Sequence, residues 1–167
     1  YGISPRSRMR EIFEYCRCYA DDFGKCSDSL FMHGATGLGK THLSLAIANV
    51  VVEKGFEVIY GSAQNLLSSL EREKFGGGSG EREKELLDCD LLIIDDLARN
   101  SRLSHRSCIY NIINTRINLG KPVIISTNLT GEELEAKYTQ RITSRIIGSY
   151  VSLLFIGKDI RQLKKFY

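Results

Sequence analysis

The 167-residue chain is 43% hydrophobic and 26% charged, with 23 basic and 20 acidic residues giving a net charge of +3. That length and mix fit one globular domain able to bury a sizeable core, and they exclude a disordered or low-complexity chain. No apolar run approaches the roughly 20 residues that span a bilayer, and so mild a positive charge fits a mixed solvated surface without implying nucleic acid.

The chain opens at Tyr1 without a Met, as expected of a piece of something longer, so missing N-terminal signals carry no weight. The cysteines Cys16, Cys18, Cys26, Cys89 and Cys108 have no regular spacing and do not read as a disulfide framework. The first three lack the paired C-x₂-C form of a zinc site. A reduced, cytoplasmic setting is expected.

Ser4 followed by Pro5 predicts a helix start, and Met9, Ile12, Phe13, Cys16 and Ala20 recur at helical spacing over 5–20. "SLFMHG" (29–34) predicts a strand running into a glycine loop. Residues 40–54 predict a helix with Leu43, Ala46, Ile47, Val50 and Val51 on one face and Gly55 as its stop. "FEVIYG" (56–61) predicts the second strand, and Leu66, Leu67 and Leu70 a helix to about Lys74. The stretch 76–80 (GGGSG) reads as a flexible linker, natural or engineered. "DLLIID" (90–95) predicts a buried strand. Ser104 is placed as the cap of a helix carrying Cys108, Ile109, Ile112, Ile113 and Ile117, ended by Gly120 and Pro122. "VIIST" (123–127) is the next strand, and Thr130 with Glu133 forms a capping box for a short helix. A further helix is expected from Gln140 to Ile147, stopped by Gly148, before a last strand, "YVSLLFI" (150–156). Apolar strands alternating with helices predict an α/β fold, a parallel sheet covered on both faces.

"GATGLGKT" (Gly34, Ala35, Thr36, Gly37, Leu38, Gly39, Lys40, Thr41) fits G-x₄-G-K-[ST] completely, between a predicted strand and a predicted helix. Its glycines let the backbone wrap phosphate, and its N–H groups with the helix start form an anion nest. Lys40 is expected to reach the β- and γ-phosphates of ATP or ADP, and Thr41 to ligate Mg²⁺. His42 follows on the same helix turn. The acidic pair closing the third strand completes the pattern: Asp95 for Mg²⁺, and Asp96 either to orient the attacking water or to cap the next segment. In a five-stranded sheet of order 5-1-4-3-2, Asn128 lies between these motifs, facing the γ-phosphate or simply forming a turn. Arg141 and Arg145 share a helix face, either as surface charges or as groups lent to a neighbouring subunit's nucleotide. Arg161, Lys164 and Lys165 form a basic end.

With these features in order, the chain resembles the DnaC/DnaI-type bacterial replicative helicase loaders and their transposon-borne IstB relatives, which are AAA+ P-loop ATPases. The resemblance rests on "GATGLGKTHLSLAIAN", "LLIIDDL", "YNIINTR", "KPVIISTNL" and "RITSRIIG" and covers nearly all of 1–167, read as a single AAA+ domain. It implies Asn128 as the sensor asparagine, Arg145 as an arginine finger acting across a subunit boundary with Arg141 beside it, and Arg161 as a second sensor arginine. It further implies ATP-dependent self-association, single-stranded DNA binding and loading of a DnaB-type replicative helicase through an N-terminal domain that this chain lacks. Arg72 and Lys74, beside the 76–80 stretch, are placed near the element that such proteins turn toward single strands, or on a solvated helix. Many loaders read Asp-Asp-Leu-Gly-x-Glu after the acidic strand, whereas here Ala98 and Asn100 replace the glycine and the glutamate. A weakly hydrolysing, nucleotide-gated binding module and an IstB-like transposition ATPase are the alternatives.

Overall fold

The computed structural model describes residues 2–25, 27–97 and 102–163. Cys26, Ala98, Arg99, Asn100, Lys164 and Lys165 lie outside the described residues. The elements are α1 (Pro5–Asp21), β1 (Ser29–Gly34), α2 (Lys40–Glu53), β2 (Val58–Ser62), α3 (Ala63–Phe75), α4 (Glu81–Asp88), β3 (Leu91–Asp95), α5 (Leu103–Asn118), β4 (Val123–Thr127), α6 (Gly131–Ser149), β5 (Tyr150–Phe155) and α7 (Ile160–Leu163). The five strands form one parallel sheet in the order β2-β3-β4-β1-β5, which is the expected 5-1-4-3-2 counted from the other edge.

The sheet is sandwiched because its strands are apolar on both faces. Alternation sends Leu91, Ile93 and Ile124 toward α1 and α2, where they pack with Ile12, Cys16, Ile47 and Val51. The intervening Leu92, Ile94, Val123 and Ile125 meet Leu66, Leu70, Leu86, Ile109, Ile113 and Ile142 on the opposite face. The order places β4 between β1 and β3. The C-terminal ends of those three strands therefore lie side by side, the place where open α/β sheets bind ligands.

Several predicted details move. Phe13 is 52% exposed, because the buried stripe of α1 is Ile12, Cys16 and Ala20 and Phe13 sits on its flank. Ala46 is exposed for the same reason beside the stripe of Ser44, Ile47 and Val51. Ser104 does not cap α5: the helix begins at Leu103, and the Ser104 hydroxyl instead donates to the Glu71 carboxylate. Gly148 does not stop α6, which runs to Ser149, but the break in it at Thr139 (φ 70) falls where the expected short helix gives way to the one expected from Gln140. The Ser4 cap and the Thr130–Glu133 capping box form as expected.

Residues 76–80 are a tight turn between α3 and α4. Gly78 N–H donates to Glu73 O at 2.8 Å, and Arg82 N–H reaches the Glu73 carboxylate at 3.2 Å. The last turn of α4 is closed from elsewhere in the chain. Arg116, fully buried, donates to the carbonyls of Leu86 (2.8 Å), Leu87 (3.1 Å), Asp90 (3.4 Å) and Pro122 (2.9 Å). A planar fork with several donors suits both the helix-end carbonyls of Leu86 and Leu87 and the loop carbonyls of Asp90 and Pro122.

Candidate nucleotide-binding site

β1 ends at Gly34, where a side chain cannot fit: φ is +137°, and a Cβ would lie 2.2 Å from Phe155 O. The loop then turns into α2 through Gly39 in the left-handed region, with no side-chain cap. The first N–H groups of α2 are thus left for an anion rather than for a capping oxygen. Lys40 is only 6% exposed and folds back along the loop, its ammonium donating to Gly34 O and Ala35 O at 2.6 Å each. Burial lowers its pKa, opposed by the charges of Asp96 and Asp95.

Thr41 and Asp95 meet across the sheet end. The Thr41 hydroxyl donates to the two Asp95 carboxylate oxygens at 2.9 and 3.1 Å. Two further hydroxyls, Tyr60 (2.7 Å) and Ser126, also donate to Asp95. These hydrogen bonds hold a carboxylate that is 6% exposed. Burial first, and the Asp95 hydrogen bond second, push the Tyr60 phenol up to about 12.

Asp96 is exposed and sits at φ 53, an uncommon value for a non-glycine residue. Its N–H is held by Ser126 Oγ at 2.9 Å, so one serine hydroxyl ties both aspartates to β4. Leu97, next in the chain, is pinned by N–H donation to Ser126 O (2.8 Å) and by the Thr127 hydroxyl on its carbonyl (2.6 Å).

Lys40, Thr41, Asp95, Asp96, Ser126 and Thr127 line one cavity of about 800 Å³, within the range of cofactor sites. Of the sequence-predicted residues, it brings together Thr36, Gly37, Leu38, Gly39, Lys40, Thr41, His42, Asp95, Asp96, Asn128 and Arg161. Gly34 and Ala35 contribute carbonyls to Lys40 instead. Arg145 and Arg141 lie on α6, outside the lining of this cavity, and the Arg141 guanidinium stacks on Tyr110 at 4.7 Å. Arg72 and Lys74 lie in the last turn of α3, also away from it; Lys74 Nζ is 3.8 Å from Cys108 Sγ.

Tyr60, Ser126 and Asp159 escaped the sequence reading. Ser126 carried a signal: one residue beyond the last registered β3–β4 pair, Ile94↔Ile125, the Ser126 hydroxyl donates to Asp95. A polar residue near the end of an otherwise apolar strand, next to a buried carboxylate, marks its partner.

A parallel sheet in this order, with a glycine-rich loop after β1 and paired carboxylates after β3, is the α/β fold expected from the sequence. Residues 17–150 match the family model for IstB-like ATP binding protein, and the chain belongs to that family. It is similar to an ATP-binding protein in an insertion sequence of Mycobacterium tuberculosis, 27% identical over 144 residues, covering 83% of this chain and 57% of that protein. It is also similar to the replicative helicase loader DnaC of Buchnera aphidicola, 26% identical over 163 residues, covering 94% of this chain and 66% of the relative. The chain thus spans less than two thirds of the length of either curated relative. A crystal structure of the DnaC helicase loader shares the fold, with a TM-score of 0.80 and 24% identity over 88% of this chain and 89% of that one.

Proposed function

We propose that this chain is the ATPase domain of a helicase loader, binding ATP with Mg²⁺ and hydrolysing it slowly at contacts between copies. The observation that carries this reading is the convergence of Lys40, Thr41, Asp95, Asp96 and Asn128 on one cavity. Thr41 and Asp95 are hard oxygen donors already in contact, which suits Mg²⁺. Bound there, the ion would neutralise charge on the phosphates.

Lys40 leaves the Gly34 and Ala35 carbonyls for the phosphates, exchanging neutral acceptors for charged ones. Asp96 orients the attacking water, or accepts its proton, from a position fixed by Ser126. Asn128 faces the same space. Arg145, outside the cavity lining of its own subunit, acts on a neighbour's nucleotide and makes turnover depend on assembly. ATP-dependent oligomerisation then couples to single-stranded DNA, with Arg72 and Lys74 as phosphate contacts, and to a DnaB-type helicase partner. Membership in the IstB-like family favours a second reading, an insertion-sequence ATPase whose partner is a transposase.

The test of the first reading is ATP turnover against protein concentration, with Arg145→Ala mixed into wild type. The specific rate rises with concentration and falls more steeply than simple dilution as the variant is added. A rate indifferent to both removes the trans finger. Co-purification with a transposase and no helicase decides for the second reading.

A further inference from the structure

We propose that Asp159 is a positioning residue that docks the segment after β5 on the phosphate loop and orients Arg161 toward the polyphosphate of bound ATP. The inference rests on the reading of the cavity as an ATP site. The Asp159–Ile160 segment and Gly37 lie far apart in sequence, yet each of the two residues approaches the glycine. Ile160 N–H donates to Gly37 O at 3.0 Å. The Asp159 carboxylate occupies the space a side chain at residue 37 would need, its Oδ1 only 2.0 Å from where a Cβ would be built. Gly37 also sits at φ +78. Glycine is thus required there both by conformation and by the docked carboxylate.

The same carboxylate grips Arg161 on one edge. It accepts Arg161 Nε at 3.1 Å, Nη2 at 3.0 Å and the Arg161 backbone N–H at 2.9 Å. Arg161 Nη1 has no hydrogen-bond partner among the described residues, and Arg161 lines the cavity. The Arg161 side chain is 67% exposed against 21% for Asp159, so without this grip nothing described would select its rotamer. A fork held by one edge and open at the other is preorganised for a second anion.

The placement is otherwise paradoxical, because a carboxylate beside a phosphate loop repels the ligand. By charge alone, its removal should tighten ATP binding. If Asp159 works through Arg161, removal weakens binding instead, and the two accounts predict opposite signs.

The experiment is a double-mutant cycle on ATP affinity by titration calorimetry, using the 167-residue chain and the variants Asp159→Ala, Asp159→Asn, Arg161→Ala and Asp159→Ala with Arg161→Ala. Asp159→Ala weakens ATP about tenfold, the scale of one charge-assisted hydrogen bond. Asp159→Asn, which keeps the shape and one acceptor oxygen, falls between it and wild type. In the Arg161→Ala background, Asp159→Ala gives no further weakening. Tighter ATP binding in Asp159→Ala or Asp159→Asn, or an equal loss in both backgrounds, overturns the proposal; the latter marks a merely structural contact. If Asp159→Ala fails to fold, Asp159→Asn measured in both backgrounds decides alone. The ATP-site reading fails separately, if wild type binds no ATP or binds it no better than Lys40→Ala.

Discussion

Ser126 is the joint between the two aspartates, and Ser126→Ala tests whether that joint matters. Ser126 is 2% exposed, and its hydroxyl accepts Asp96 N–H at 2.9 Å and donates to Asp95. Its removal strands a part-buried N–H, a loss of about 1–3 kcal/mol. Asp95 also loses one hydroxyl donor but keeps those of Thr41 and Tyr60, so that part is partly compensated. The expected total is about 2 kcal/mol, a fall in melting temperature of about 4–8 °C for a chain this size. The functional effect is selective. Asp96 is no longer held at φ 53, while Lys40 keeps its place in a loop that makes no described hydrogen bond to Ser126. Turnover should therefore fall about tenfold, the scale of one lost positioning hydrogen bond, with ATP affinity changed less than about threefold. Urea unfolding, calorimetric titration and a steady-state phosphate assay read the three quantities. A stability change under about 0.5 kcal/mol with unaltered turnover would refute the role assigned to this hydroxyl.

Arg116→Ala should destabilise by about 3 kcal/mol in urea unfolding, because the carbonyls of Leu86, Leu87, Asp90 and Pro122 all lose a charged donor inside the fold. Arg116→Lys should recover only part of that, since one ammonium cannot span acceptors on both sides of a planar fork; full recovery would contradict the account. Asn100→Glu with Ala98→Gly should raise ATP turnover without changing ATP affinity, as seen by phosphate release and titration. No gain would show that the departure after the acidic strand is not what limits the rate.

The sheet was legible because its strands are continuous apolar runs and the phosphate loop fixes which of them is β1. Asp95, Thr41 and Lys40 were legible for a related reason: their residue types at that spacing serve little else. Hydrogen-bond partners were not. Tyr60 and Ser126 reach Asp95 from two different strands, and Asp159 reaches Gly37 from the far end of the chain. No periodicity encodes such meetings. The α4 helix was obscured because Leu86 is its one buried side chain and its stability comes from Arg116, thirty residues on from Leu86. Phe13 and Ala46 show the reverse error, in which apolar residues on a stripe's flank were counted into it. Ser104 was a good cap by type, but Glu71 is a charged acceptor and takes its hydroxyl.

The central claim is that the cavity beside Lys40 holds the phosphates of ATP. Calorimetric titration of ATP with Mg²⁺ into wild type and into Lys40→Ala addresses it directly. Lys40 is buried and has only neutral carbonyls to give up. Its loss should therefore weaken ATP by about a hundredfold or more, the scale of a charged contact in a covered site. Equal affinity in the two proteins, or no binding to wild type, would contradict the account.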